Sequence, residues 1–152
     1  MNIFLRLKNL FFNYFAEIVL NIIYTKPYIY GNDRRATISK LANINNALIN
    51  TASGDVTIED FAFCAHNVCI ITGTHDYYKK YKDRMTAIPT TGRDIVIKKG
   101  AWIGTNVTIL GPCIIGENSV IAANSLVNED VAPDSIYAGS PAKLIKLINF
   151  HE

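Results

Sequence analysis

From Ile95 to Val131 the chain reads IVIKKGAWIGTNVTILGPCIIGENSVIAANSLVNEDV, and within it Ile97, Ile103, Ile109, Ile115, Ile121 and Val127 recur every six residues without a miss. Isoleucine and valine make up 30 of the 152 residues, so six such hits in one phase arise by chance less than about once in 10,000. A second row runs two positions earlier through Ile95, Ala101, Val107, Cys113, Ser119, Ser125 and Val131, all small or medium-sized. Gly104 and Gly116 follow members of the main row. A period of six fits neither an amphipathic helix nor a hairpin array. It fits short strands joined by tight corners, each turning one aliphatic residue inward with a small one beside it. Stacked coils of this kind make an all-β solenoid whose aliphatic rows become continuous internal ladders.

Toward the N-terminus the pattern persists less cleanly. Ile58, Cys64 and Ile70 keep the spacing, as do Ile38 and Ile44, but the two sets are out of phase. An irregular turn is therefore expected within Leu48–Asp55. The repeat vanishes across Asp76–Asp94, which contains Tyr77-Tyr78-Lys79-Lys80-Tyr81-Lys82. This stretch reads as a loop thrown out from the wall, and loops of that length are more often functional than idle. The expected body is a β-helix over 36–131 with an extruded loop at 76–94.

The two ends read as caps. Residues 1–28 form a helical segment in which Asn9, Asn13, Glu17 and Asn21 make one polar stripe on a helix otherwise of Phe, Leu, Ile and Tyr. No apolar run exceeds three residues, which excludes a membrane span of ~20 apolar residues and the apolar core of a signal peptide. The wide apolar face is expected to pack on the body of the protein. The alternative is peripheral contact of residues 1–24 with a membrane surface, with Arg6 and Lys8 at the start. At the other end, Ser140-Pro141-Ala142 reads as an N-cap with proline at the first helical position. A short C-terminal helix over 141–150 is expected, with Leu144, Leu147 and Ile148 on one face, closing the open end of the solenoid.

The whole chain, 1–152, is expected to be one domain. A formal charge of +2 with no long basic run argues against nucleic acid. Cys64, Cys69 and Cys113 lack paired zinc spacing and read as buried hydrophobes in a reducing cytosol.

The run Ala101-Trp102-Ile103-Gly104-Thr105-Asn106-Val107-Thr108-Ile109-Leu110, the Ile115-Gly116 pair, the closing Ala138-Gly139-Ser140-Pro141-Ala142-Lys143 and the Thr74-His75 pair before the loop resemble the hexapeptide-repeat acyltransferases. More narrowly, the chain is similar to the maltose, galactoside and capsular-polysaccharide O-acetyltransferases, over roughly residues 36–147. The resemblance implies a left-handed parallel β-helix and a homotrimer with active sites at subunit boundaries. It implies acetyl-CoA as acetyl donor, lying along the groove between neighbouring β-helices, with no metal required.

It also implies roles for particular residues. A single histidine near the start of the extruded loop acts as general base, which here is His75. The oxyanion of the tetrahedral intermediate is met by the backbone N–H of Thr105, and Trp102 flanks the acceptor, where an indole face packs on a sugar. Asn45 matches an acceptor-binding asparagine. Gly104, Thr105, Ala123, Asn128, Lys143 and Lys146 match cofactor-binding positions, the lysines meeting phosphates. Two departures stand out: Ala122-Ala123-Asn124-Ser125 and Asn128-Glu129-Asp130 replace the family's Gly-Ala-Gly-Ser and Thr-Lys-Asp, and Asn124 is large for the groove. For the lysines a solvated helix face is the competing reading, and for Trp102 an outward-facing corner aromatic.

The chemistry agrees with such a site. Acetyl transfer to an alcohol needs a base and a stabilised oxyanion, and imidazole is the side chain that titrates near neutrality. His66 falls in a corner and His151 at the tail, both without an expected role. The expected activity is O-acetylation of a sugar or sugar-containing surface polysaccharide, in the cytoplasm. An antibiotic hydroxyl or a nucleotide-sugar amine is the alternative acceptor. A zinc-dependent hydration enzyme of this fold uses three histidines, and the repeat holds two, His66 and His75. A non-catalytic scaffold is the remaining class.

Overall fold

The computed structural model describes residues 3–150, with the side chains of 3–6 and 24 left aside. His151 and the Arg6 side chain lie outside the described residues.

Helix α1 (Ile3–Thr25) leads into three sheets of short strands, numbered along the chain. The first sheet holds β1 (Tyr28–Tyr30), β3 (Leu48–Asn50), β6 (Cys69–Ile71), β9 (Thr108–Leu110) and β12 (Leu126–Val127). The second holds β2 (Ala36–Ile38), β4 (Val56–Ile58), β7 (Ile95–Ile97) and β10 (Cys113–Ile115). The third holds β5 (Phe63–Cys64), β8 (Trp102–Ile103), β11 (Val120–Ile121), β13 (Ser135–Gly139) and β14 (Ala142–Leu147). Every pairing is parallel except β13 with β14. From β5 to β12 the chain visits the third, first and second sheets in turn.

The register converts the six-residue rows into ladders. Ile29, Ile49, Ile70, Ile109 and Val127 align in the first sheet. Ile38, Ile58, Ile97 and Ile115 align in the second, and Cys64, Ile103, Ile121 and Tyr137 in the third. Both rows read in the sequence are buried along their whole length, from Ile95 and Ile97 to Val127 and Val131. An isoleucine removed from water contributes roughly 2–3 kcal/mol as an upper figure, so these ladders hold the three sheets together. The irregular turn falls where expected: Ile49 to Ile58 takes nine residues, whereas Ile109 to Ile115 takes six. Buried Thr51 and Ser53 line it.

The connections from the third sheet to the first turn through asparagines in the left-handed region, Asn67 (φ 59°), Asn106 (φ 58°) and Asn124 (φ 60°). Asparagine tolerates that conformation better than other side chains with a Cβ. Asn106 Nδ2 donates to Asn124 Oδ1 at 3.3 Å, so Asn124 is turned along the stack.

Two expectations are corrected. Residues 142–147 form β14, antiparallel to β13, and not a helix. A short apolar stretch satisfies either period. The open edge of β13 decides between them, because a strand there satisfies backbone groups that a packed helix would leave unpaired. Ser140 and Pro141 belong to the hairpin turn. The N-terminal helix also differs from expectation: every described side chain of α1 except half-buried Ala16 is exposed, so its apolar face does not pack on the body of its own chain. Among the described residues no helix is long and apolar enough to cross a membrane.

Candidate active site

His75 leaves the wall four residues after Ile71, where β6 ends. The segment before it is tied down at several points. Buried Thr72 donates through Oγ1 to the Asn50 carbonyl oxygen at 2.8 Å and accepts from the Ser53 N–H at 3.1 Å. Arg93, on the returning limb of the loop, donates through Nε to the Thr72 carbonyl oxygen at 2.8 Å. Thr74 N–H donates to Ser53 Oγ at 3.3 Å. The base of the loop is closed by the Asp76 N–H on the Ala87 carbonyl oxygen, 2.9 Å.

Inside the loop a single-turn helix, α2 (Tyr81–Thr86), brings a backbone acceptor to the imidazole. His75 Nδ1 lies 2.9 Å from the Arg84 carbonyl oxygen. A carbonyl only accepts, so Nδ1 carries the proton and Nε2 of the neutral ring is left with its lone pair. Asp76 plays no part in this: its Oδ1 accepts from the Tyr78 N–H at 3.1 Å. Beside the ring, Tyr30, Asn50, Gly73 and Ile88 line a cleft of about 210 Å³. A Cβ on Gly73 would lie 2.7 Å from the Asn50 amide, so glycine keeps that wall open.

A larger cleft, about 450 Å³, lies against the second sheet between Glu59, Lys98, Ile114, Asp130 and Pro133. It contains no histidine, and Lys98 is engaged with Glu59 at 2.8 Å, which holds that carboxyl below its ordinary range.

The remaining sequence-derived residues fall elsewhere. Gly104, Thr105 and Ala123 share the connections from the third sheet to the first, and Asn45 lies between β2 and β3, two residues after Asn43, which bridges to Phe63 of the third sheet. Asn45 Nδ2 donates to the Cys64 carbonyl oxygen at 2.8 Å, a structural bond within the corner. Gly104 is demanded by packing, since a Cβ there would sit 2.6 Å from the Ala123 nitrogen of the next coil. Among the described residues no backbone carbonyl accepts from the Thr105 N–H. Trp102 lies on β8 and not at a corner, stacked on Phe63 with ring centroids 5.7 Å apart and planes 16° from parallel. Asn128 directly follows β12. Lys143 and Lys146 lie on the exposed strand β14, and Lys143 Nζ meets Glu129 at 3.1 Å. His66 is exposed in its corner.

Within one chain, then, His75 sits on a connection from the first sheet to the second, while Thr105 and Ala123 sit on connections from the third to the first. Arg84, Asn50, Tyr30 and Arg93 were not singled out in the sequence. Nothing in a residue's identity announces that its carbonyl will face a histidine nine positions away.

Parallel three-sheet stacking with an eighteen-residue circuit, as from Ile97 to Ile115, defines a hexapeptide-repeat protein. Residues 94–129 match the family described as bacterial transferase hexapeptide (six repeats). Over that stretch the chain carries the repeats of this transferase family. It is 33% identical to galactoside O-acetyltransferase of Escherichia coli (strain K12), over 80% of this chain and 58% of that protein. It is 32% identical to galactoside O-acetyltransferase of Lactococcus lactis subsp. lactis (strain IL1403), over 89% and 64%. Among solved structures it resembles a galactoside acetyltransferase in complex with coenzyme A, with a TM-score of 0.68 and 28% identity over 85% of this chain and 63% of that one. The chain spans about half the length of the curated relatives it matches.

Proposed function

We propose that this protein is a left-handed β-helical acetyltransferase that moves the acetyl group of acetyl-CoA to a hydroxyl of a sugar or surface polysaccharide. The observation that carries the reading is the 2.9 Å contact between His75 Nδ1 and the Arg84 carbonyl oxygen. It leaves Nε2 of the neutral ring as a proton acceptor. In the reaction, Nε2 takes the proton of the acceptor hydroxyl as its oxygen attacks the thioester carbonyl. The tetrahedral oxyanion is met by the Thr105 N–H, a donor already in place before charge develops. Collapse expels the CoA thiolate, which recovers the proton from the imidazolium. No acyl-enzyme is needed. Burial pushes the Cys64 and Cys113 thiols up to about 12, which disfavours them as nucleophiles.

His75 and Thr105 lie on different connections of one chain, so a complete site needs an edge from a second copy. A homotrimer that seats the His75 side of one copy against the Thr105 side of the next supplies it, with Trp102 and Asn45 toward the acceptor. Gly104 and the short side chain of Ala123 leave that groove shallow enough for pantetheine, Asn128 borders it, and Lys143 and Lys146 reach for phosphate, Lys143 by exchanging its partner Glu129. The family's galactoside enzymes support the choice of acceptor. Acetyl-CoA places the work in the cytoplasm, and the exposed Leu10, Phe11 and Phe12 of α1 suit peripheral contact with a membrane carrying the glycan.

The test is acetyl-CoA consumption across a panel of sugars and glycans, wild type against His75→Ala. A fall of about 10²-fold or more with CoA binding retained supports the base assignment. Equal activity in both proteins defeats it. An absence of CoA binding in the wild type favours a scaffold.

A further inference from the structure

Six consecutive residues of the extruded loop, Tyr77-Tyr78-Lys79-Lys80-Tyr81-Lys82, are all exposed. Tyr77, Tyr78 and Tyr81 stand at 69%, 83% and 88% of full exposure. A tyrosine ring carries a large apolar area, and several neighbouring rings left in water mark a binding surface. Tyr77 and Tyr78 already form one wall, with centroids 4.4 Å apart and their hydroxyls hydrogen-bonded at 3.2 Å.

Charge is as uneven as burial. Tyr77–Arg84 carries Lys79, Lys80, Lys82 and Arg84 against Asp83, a formal +3, while the whole chain carries +2. The rest of the protein sums to a formal −1, although a second basic stretch, Lys26–Lys40, also carries +3. Among the described residues none of the three ammonium groups is paired with a carboxylate. Arg84 is differently placed: its Nε donates to the Lys79 carbonyl oxygen at 2.7 Å and its Nη2 to that of Tyr77 at 3.2 Å. These two bonds fasten the Tyr–Lys turn to the residue whose own carbonyl oxygen holds His75.

We propose that Tyr77–Lys82 is an acceptor subsite for an anionic glycan, one bearing carboxylates or phosphates. Sugar faces stack on the tyrosine rings, and Lys79, Lys80 and Lys82 meet the anionic groups. The proposal rests on the acetyltransferase reading and adds the class of acceptor. A lipid surface fits less well, because the six residues contain no Leu, Phe, Ile or Trp to enter it.

Calorimetric titration tests this with hexagalacturonate, a phosphate-bearing mannan and neutral maltohexaose. The proteins are wild type, Lys79→Gln/Lys80→Gln/Lys82→Gln and Tyr77→Ala/Tyr78→Ala. At least one anionic glycan is expected to bind about tenfold or more tighter than maltohexaose, with affinity falling as salt rises. Each multiple variant is expected to lose about tenfold or more of that affinity and to keep its CoA affinity within about twofold. Equal binding of charged and neutral chains, or binding of neither anionic probe, overturns the proposal. So does a lysine variant that loses CoA affinity and not glycan affinity, because the turn would then be a donor phosphate site. The substituted side chains are all exposed, and an unchanged melting temperature confirms that the variants fold. Binding is read without turnover, so glycan binding in a protein that transfers no acetyl group would sink the enzyme reading and leave the subsite standing.

Discussion

The imidazole of His75 and the carbonyl of Arg84 are joined by a 2.9 Å hydrogen bond that crosses the extruded loop. The loop's own backbone thereby sets the tautomer of the histidine it follows. Arg84 holds the carbonyl in place through its side chain, which is bonded to the Lys79 and Tyr77 carbonyl oxygens.

Arg84→Met removes both of those bonds and leaves the carbonyl in place only through the short helix α2. On the proposed reading kcat falls about tenfold while KM for acetyl-CoA changes less than about twofold, as expected for a residue that orients a catalytic group. Steady-state kinetics with a melting curve check this. A loss confined to acetyl-CoA KM would assign the loop to donor binding.

Gly104→Ala tests the stacking of coils independently of catalysis. The added methyl would meet the Ala123 nitrogen at 2.6 Å and the Ile121 carbonyl oxygen at 2.8 Å, both backbone atoms. The expected loss is about 1–3 kcal/mol, the range for overpacking a close-fitted interior. Chemical denaturation measures it, and an unchanged midpoint would contradict the stacking described.

Cys64 and Cys113 are buried, and desolvation raises both thiols from 9.0 to about 12. Folded protein at pH 8 is expected to resist iodoacetamide at these two positions, and unfolded protein to react at both. The linkage follows in sign. Between pH 9 and 12 the unfolded chain has released thiol protons that the folded chain still holds, so stability falls as pH rises, at up to about 1.4 kcal/mol per pH unit for each thiol. Stability measured by denaturation at several pH values across that window should fall less steeply with pH for Cys64→Ala than for wild type.

Ending the chain at Ser140 deletes β14 and bares the backbone edge of β13. Concentration-dependent association is expected, visible by light scattering, because an unpaired edge recruits another strand. A truncated protein that scatters as the full-length one does would show that β14 is not a protective edge.

How far the sequence reaches differs from element to element. Ile97 to Val127 could be placed in the core by counting, because each coil repeats the same local demand for one inward aliphatic residue. The loop was visible as a gap in that count. Leu144, Leu147 and Ile148 suit one face of a helix over 141–150, yet residues 142–147 form β14, because the choice depends on an open edge elsewhere in the fold. The described side chains of helix α1 carry the stripe expected of it but, apart from half-buried Ala16, do not pack on the body of the chain.

The sequence by itself determined the repeat, the ladders, the position of the loop and His75 at its root, because periodic burial is written one residue at a time. Only the tertiary structure decided that the Arg84 carbonyl faces His75, that Asn50 and Gly73 shape the cleft, that Arg93 anchors the loop's return, and that β14 seals the end. The His75 and Arg93 contacts end on backbone carbonyls, which every residue carries alike, and the others depend on which distant segments meet, so no local side-chain pattern records them.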